Sequence, residues 1–332
     1  LRVDEQDPAW DRAQQQAARM LYRLYSEASG EEQLQGGSRY LAVAVPLLMD
    51  DLVLGRSDAV AAGRAIARSR RVLQVALDDR LLRLVAASAV LDECLPIDLA
   101  IELPGGFVEE LTFRRMQLAL RQNRLRDAEL AADLLLETDS DGLWTRRAVR
   151  ELFRRSLADW KEAATVADRR EESRRLVRFG RLILGDHPTI AEAFAQSGMI
   201  AVASTVAAAE LDIWTVGGDP ESARQAWLLY GDLLTVHPRN QSFLRGRGLL
   251  AASQDERVEG VRCWRLLVSG TASGSDSWFE ARVNLLELLE ELDPEHARSV
   301  LQQHLVLFPD WGPEPWGSRL RATQRRLDGV SP

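Results

Sequence analysis

The chain is expected to be all-α, a succession of antiparallel helix pairs. Three observations lead there. Apolar residues recur at three- and four-residue spacing along almost the whole length, the period of a helix with one buried face. The alternating pattern of strands is absent. Helix breakers fall at regular places, leaving helices of about 12 to 24 residues between them. Short interruptions between amphipathic helices bring consecutive helices side by side in opposite directions.

Taken in order, Gly36-Gly37 and Gly55 are the first breakers. Between them, residues 41–54 are strongly apolar but too short to span a bilayer, and Pro46, Asp50 and Asp51 interrupt them. Pro96 and Pro104-Gly105-Gly106 close an N-terminal helical region, 1–104. Helix-pair repeats are expected over 105–316, and a capping helix with a tail over 317–332. Turns at 139–142, 186–188, 217–220, 237–238, 271–275 and 293–294, with Pro309, divide the repeats. One helix is expected from Trp144 and the next over 162–184. Residues 191–214 are long enough to cross a membrane, but alanine dominates and Gln196, Ser197, Ser204, Thr205 and Glu210 lie inside. A buried helix packed closely through small residues is the expectation there.

Several turns carry start signals. Asp219-Pro220-Glu221 and Asp293-Pro294-Glu295 each offer an N-cap acid, proline at the first helical position and an acid favoured by the helix dipole. Both continue into Ala-Arg after one further residue. Helix ends echo one another too: Phe179-Gly180-Arg181-Leu182-Ile183 leads to His187-Pro188, and Tyr230-Gly231-Asp232-Leu233-Leu234 leads to His237-Pro238. Recurrent start and stop grammar marks an internal repeat.

In these residues the chain resembles the tetratricopeptide-repeat family, whose unit of about 34 residues pairs two helices. The family places a small residue early in the second helix, large residues four and seven positions later, and proline twelve later. Ala297, Leu301, His304 and Pro309 keep that spacing. Gly260, Trp264 and Leu267 fit the same frame, with Gly248 at the family's helix-contact glycine. Ala128, Ala132 and Leu135 fit, and so do Ala223, Trp227 and Tyr230, although Pro238 arrives three residues late. The resemblance covers 107–309; the first hundred residues share only the helical pattern. It departs from the family at Leu285, where glycine is expected, and in the length of the helix over 162–184. It implies a right-handed α-solenoid with a C-terminal capping helix, and Trp227 and Trp264 as core residues at matching places.

Composition narrows the function. The net charge of −8 argues against a general nucleic-acid binder, which needs a basic face. Lys161 is the only lysine, so basic charge is nearly all arginine, through coding bias or through selection for bidentate recognition of carboxylate or phosphate. Cys94 and Cys263 are isolated, which excludes a disulfide framework and a four-ligand zinc site. Buried free thiols suit a reducing, cytoplasmic compartment, with an exported location open if a signal or anchor was removed.

No chemistry stands out. There is no glycine-flanked lysine for a P-loop and no G-x-S-x-G elbow. Gly246-Arg247-Gly248-Leu249-Leu250-Ala251 matches G-x-G-x-x-A but follows a proline turn inside a helical pattern, where a dinucleotide site needs a preceding strand. His187 and His237 precede prolines at helix ends, where an imidazole can cap carbonyls. His296 and His304 stand eight apart, not at the four-residue spacing that lets two histidines share a metal. No catalytic residue, metal or cofactor is expected.

Two surfaces are candidates for binding. Arg146, Arg150 and Arg154 share one helix face, opposite Val149, Leu152, Phe153 and Trp160, and Arg170, Arg174, Arg178 and Arg181 form a second row. Such rows suit an acidic peptide, a phosphate group or an anionic surface; alternatively they are solvated faces balanced by Glu151, Asp159, Glu171 and Glu172. The second is the proline-rich stretch carrying Trp311 and Trp316, which either docks the capping helix or anchors a partner. The function expected is a non-enzymatic scaffold or adaptor presenting a groove to other proteins, through an acidic segment if the arginines serve. Nucleic acid and membrane insertion are disfavoured. The alternatives are a fixed structural subunit of a larger assembly, possibly a membrane-associated one, and an all-helical enzyme with an acidic cleft.

Overall fold

The computed structural model of the chain describes residues 8–78, 81, 83–94, 99, 101–185 and 198–329. These residues contain fifteen α-helices and no strand. The expected turn at Pro96 and that at His187-Pro188 lie outside the described residues. The chain forms two compact units, Leu1–Glu151 and Leu152–Pro332.

The first unit holds α1 (Pro8–Glu27), α2 (Gly30–Leu54), α3 (Ala59–Ala76), α4 (Leu84–Cys94), α5 (Phe107–Arg121) and α6 (Leu125–Thr138), and the division falls within α7 (Leu143–Glu162). From α1 to α6 each helix packs on its neighbour in sequence. The core gathers Tyr40, Ala44 and Leu48 of α2, Val72 and Leu73 of α3, Val90 and Leu91 of α4, and Phe107 and Leu111 of α5. Phe107 and Leu111, beyond the turn at 104–106, are buried in this cluster.

Gly36 and Gly37 do not break a helix; they lie inside α2 and are buried. A Cβ on Gly37 would stand 2.5 Å from Leu81 Cδ1 and 2.9 Å from the Tyr25 ring, so the glycine makes room for neighbouring side chains. Asp58 caps α3 by accepting a hydrogen bond from the Val60 amide. Asp51 is buried in α2, where it accepts from Arg64 at 3.0 Å and from Arg68.

The second unit continues with α8 (Val166–Leu184), α9 (Met199–Gly217), α10 (Pro220–Val236), α11 (Gln241–Leu250), α12 (Arg257–Gly270), α13 (Asp276–Leu292), α14 (Pro294–Leu307) and α15 (Trp316–Leu327). α8 starts at Val166, later than the sequence pattern suggests, because the Thr165 side chain accepts from the Asp168 amide and sets the start. Asp219 and Asp293 cap α10 and α14 as their sequences imply, each with proline in the first turn. Asn240 and Ser275 cap α11 and α13 in the same way.

α9 is the one described helix long and apolar enough to cross a membrane by length and composition. It packs on α8 and α10 through Ala203, Val206 and Ala207, and it buries Glu210 in an ion pair with Arg181 of α8.

The residues that the sequence places at small-large-large spacing are buried. Ala128, Ala132 and Leu135, then Ala223, Trp227 and Tyr230, then Gly260, Trp264 and Leu267, then Ala297, Leu301 and His304 are all buried. Gly248 sits under the Trp264 ring, where a Cβ would come within 2.6 Å of Cε2. The glycine lets the two helices close on each other. Both cysteines are buried, Cys94 in the first unit and Cys263 in the second. Burial pushes the Cys94 thiol up to about 12 and the Cys263 thiol up to about 11.

Candidate partner-binding surfaces

The α8 arginines do not form a bare positive strip. Arg174 lies 3.8 Å from Glu171, and Arg181 pairs with Glu210 across to α9. Arg178 stacks beside Phe179, 5.1 Å from the ring centroid. Arg170 is half-buried, its guanidinium held against Gly217. Between them Arg175 binds Glu171 and Glu172, and Arg169 reaches Asp212 at 2.6 Å while lying 3.6 Å above the Trp160 ring. Carboxylates therefore interleave the row.

On α7, Val149, Leu152 and Phe153 are buried and Trp160 is half-buried, as the stripe implies. Arg146, Arg150 and Arg154 are exposed, and Arg146 donates to the Asp141 carbonyl at 2.6 Å.

Glu210 is the most tightly enclosed carboxylate of this region, at 2 % exposure. Burial pushes its carboxyl up from the usual range, and the Ser222 hydroxyl and Arg181 oppose that rise. Its partner lies 29 residues away in sequence.

Trp311 and Trp316 are engaged in holding the last helix. Both pack partly buried against the second unit's core. Trp316 donates from Nε1 to Asp276 at 2.6 Å, and the Arg319 guanidinium lies 5.5 Å from its ring. Arg319 in turn forks onto Glu287, and Arg326 onto Glu290, tying α15 to α13. Below this strap, His304 is fully buried among Trp278, Phe279 and Phe308. Burial pushes its pKa down, and a backbone hydrogen bond with Trp311 acts in the other direction.

A surface that the sequence did not point to lies on the first unit. Helices α4, α5 and α6 enclose a groove of about 650 Å³. Val108, Leu130 and Leu134 line it and are each about half exposed or more, with Asp92, Arg115 and Arg124 around them. Leu130 and Leu134 stand one turn apart on α6, away from the buried Ala128, Ala132 and Leu135. The signal was present as a helix with more leucine than one core face needs.

The remaining candidates resolve simply. Gly246 and Gly248 are buried inside a helix, Gly246 against the Tyr230 ring, so the glycine pair serves helix packing. His237 is the C-cap residue of α10 and satisfies Leu233 through its backbone amide. Among the described residues no group of three or more His, Cys, Asp or Glu is placed to hold a metal ion. Comparison with protein-family models and with curated proteins finds no match to the chain.

Proposed function

We propose that the chain is a tetratricopeptide-like helix-pair protein, a right-handed solenoid with a capping helix, whose role is to bind partner proteins without catalysis. The observation that carries this reading is the burial of all twelve second-helix positions at the family's spacing, in four helix pairs. Helix-pair arrays satisfy their core locally and leave elongated surfaces available for recognition. The groove of α4, α5 and α6 is the favoured docking place, since it exposes three apolar side chains beside an arginine, Arg115, that has no acid partner among the described residues. It suits a helical segment with apolar residues one turn apart and an acid at its edge.

The test is affinity capture from the native source with the intact protein and with a Leu130→Glu/Leu134→Glu variant, followed by mass spectrometry. Both leucines are exposed, so the variant keeps its fold. A partner retained by the first and lost by the second supports the reading. Equal retention by both, or none above a bare-resin control, overturns it. A partner that stays at fixed stoichiometry through high salt favours the structural-subunit alternative.

A further inference from the structure

Away from that groove, α1, α2 and α3 surround a second cavity of about 450 Å³ within the first unit. Its lining is dominated by cations: Arg19 from α1, and Arg64, Arg68 and Arg71 from α3, with Gln15 and Tyr40. Arg64, Arg68 and Arg71 follow one another at helical spacing and so point to the same side of α3. Among the described residues the acid paired with this row is Asp51, and it is already occupied, accepting from both Arg64 and Arg68. Arg19 and Arg71 have no acid partner among the described residues; Arg71 rests 5.5 Å from the Tyr22 ring.

Tyr40 supplies the second observation. It is 3 % exposed as a residue and forms part of the cavity wall. A phenolic hydroxyl at the wall of a cavity can donate to an acceptor bound there. Burial raises its pKa to about 12, so it remains a donor at any physiological pH. The site therefore offers several guanidinium groups and one neutral donor, and the Asp51 carboxylate is held by its own partners.

We propose that this cavity binds a phosphorylated small molecule through its phosphate group. Phosphate fits better than carboxylate because its three terminal oxygens can accept from more than one fork and from the hydroxyl together. The cavity falls in the range of small-molecule sites, which leaves room for an organic part beyond the phosphate, along Ala18 and Ala67. This site is distinct from the α4–α6 groove and does not depend on the protein-binding reading.

Isothermal titration of the full chain in chloride buffer with pyrophosphate as probe tests it. The expected result is saturable binding of one equivalent, weakened roughly tenfold by Tyr40→Phe and by Arg19→Gln/Arg71→Gln. Arg265→Gln, an exposed change in the second unit, should leave the affinity unaltered. Arg19 and Arg71 are exposed and Tyr40→Phe removes one oxygen, so circular dichroism is expected to be unchanged throughout. No saturable heat, or affinity indifferent to both cavity variants, overturns the proposal. Citrate binding as tightly as pyrophosphate overturns the phosphate assignment. Recruitment to vesicles containing phosphatidic acid without binding of free pyrophosphate shows a lipid headgroup as the source, and also overturns it.

Discussion

The contact between Gly248 and Trp264 gives the sharpest test of the helix register, because each residue limits the other. Trp264 is 1 % exposed, and its truncation to alanine should cost about 3–5 kcal/mol, the range for a buried large aromatic. Gly248→Ala alone places a Cβ 2.6 Å from Trp264 Cε2 and 2.9 Å from Nε1. The ring cannot retreat in a packed core, so overpacking of about 1–3 kcal/mol is expected. Alanine also favours the helix over glycine by about 1 kcal/mol, which leaves a net loss of about 0–2 kcal/mol. In Gly248→Ala/Trp264→Ala the clash disappears while the helix preference remains. That double variant should lose about 2–4 kcal/mol, less than Trp264→Ala alone. Urea melts followed by circular dichroism on the four proteins close the cycle. If the two changes add to within about 0.5 kcal/mol, the rings and glycine do not meet and the register is wrong.

Two further outcomes follow from the buried polar groups. His304 has a folded pKa below its ordinary 6.5, so the folded state binds fewer protons than the unfolded one. Its contribution is intact above pH 6.5 and is lost as pH falls from there towards the folded value, at up to about 1.4 kcal/mol per pH unit. His304→Phe, which keeps the aromatic packing, should flatten the stability curve between pH 7 and 5 in parallel urea melts; identical curves would dismiss the idea. Arg181→Met removes the charged partner of Glu210, and leaving that carboxylate enclosed should cost roughly 1–3 kcal/mol. Adding Glu210→Gln should recover much of this loss, and a double variant as unstable as Arg181→Met would show that the pair does not matter.

What could be read from the chain alone was whatever is decided locally. The Asp-Pro-Glu starts, the small-large-large spacing of second helices and the glycine beneath Trp264 all lie within one or two turns of their consequence. Gly36-Gly37 misled because glycine serves two ends, releasing the backbone at a turn and clearing space beside Tyr25 and Leu81. The start of α8 was missed because its cap, Thr165, follows residues that continue a helical pattern. The surroundings of the arginine rows were not legible for a different reason. Spacing shows which arginines share a face, but the acid that neutralises Arg181 sits on another helix, at Glu210. The cavity of α1–α3 was hidden in the same way. Arg64, Arg68 and Arg71 have a row's spacing, yet only the fold adds Arg19 and Tyr40.

The two cysteines turn the chain into its own pair of clocks. Each compact unit holds a single thiol, sealed in its core and kept protonated by burial, and reagents attack the thiolate. A thiol reagent in excess should therefore modify Cys94 only when the first unit opens and Cys263 only when the second does. Digestion and mass analysis after timed exposure would read the two opening rates separately, in the unmutated protein. Each labelling time course, extended to low urea, would then give the opening free energy of its own unit and show whether the halves open together.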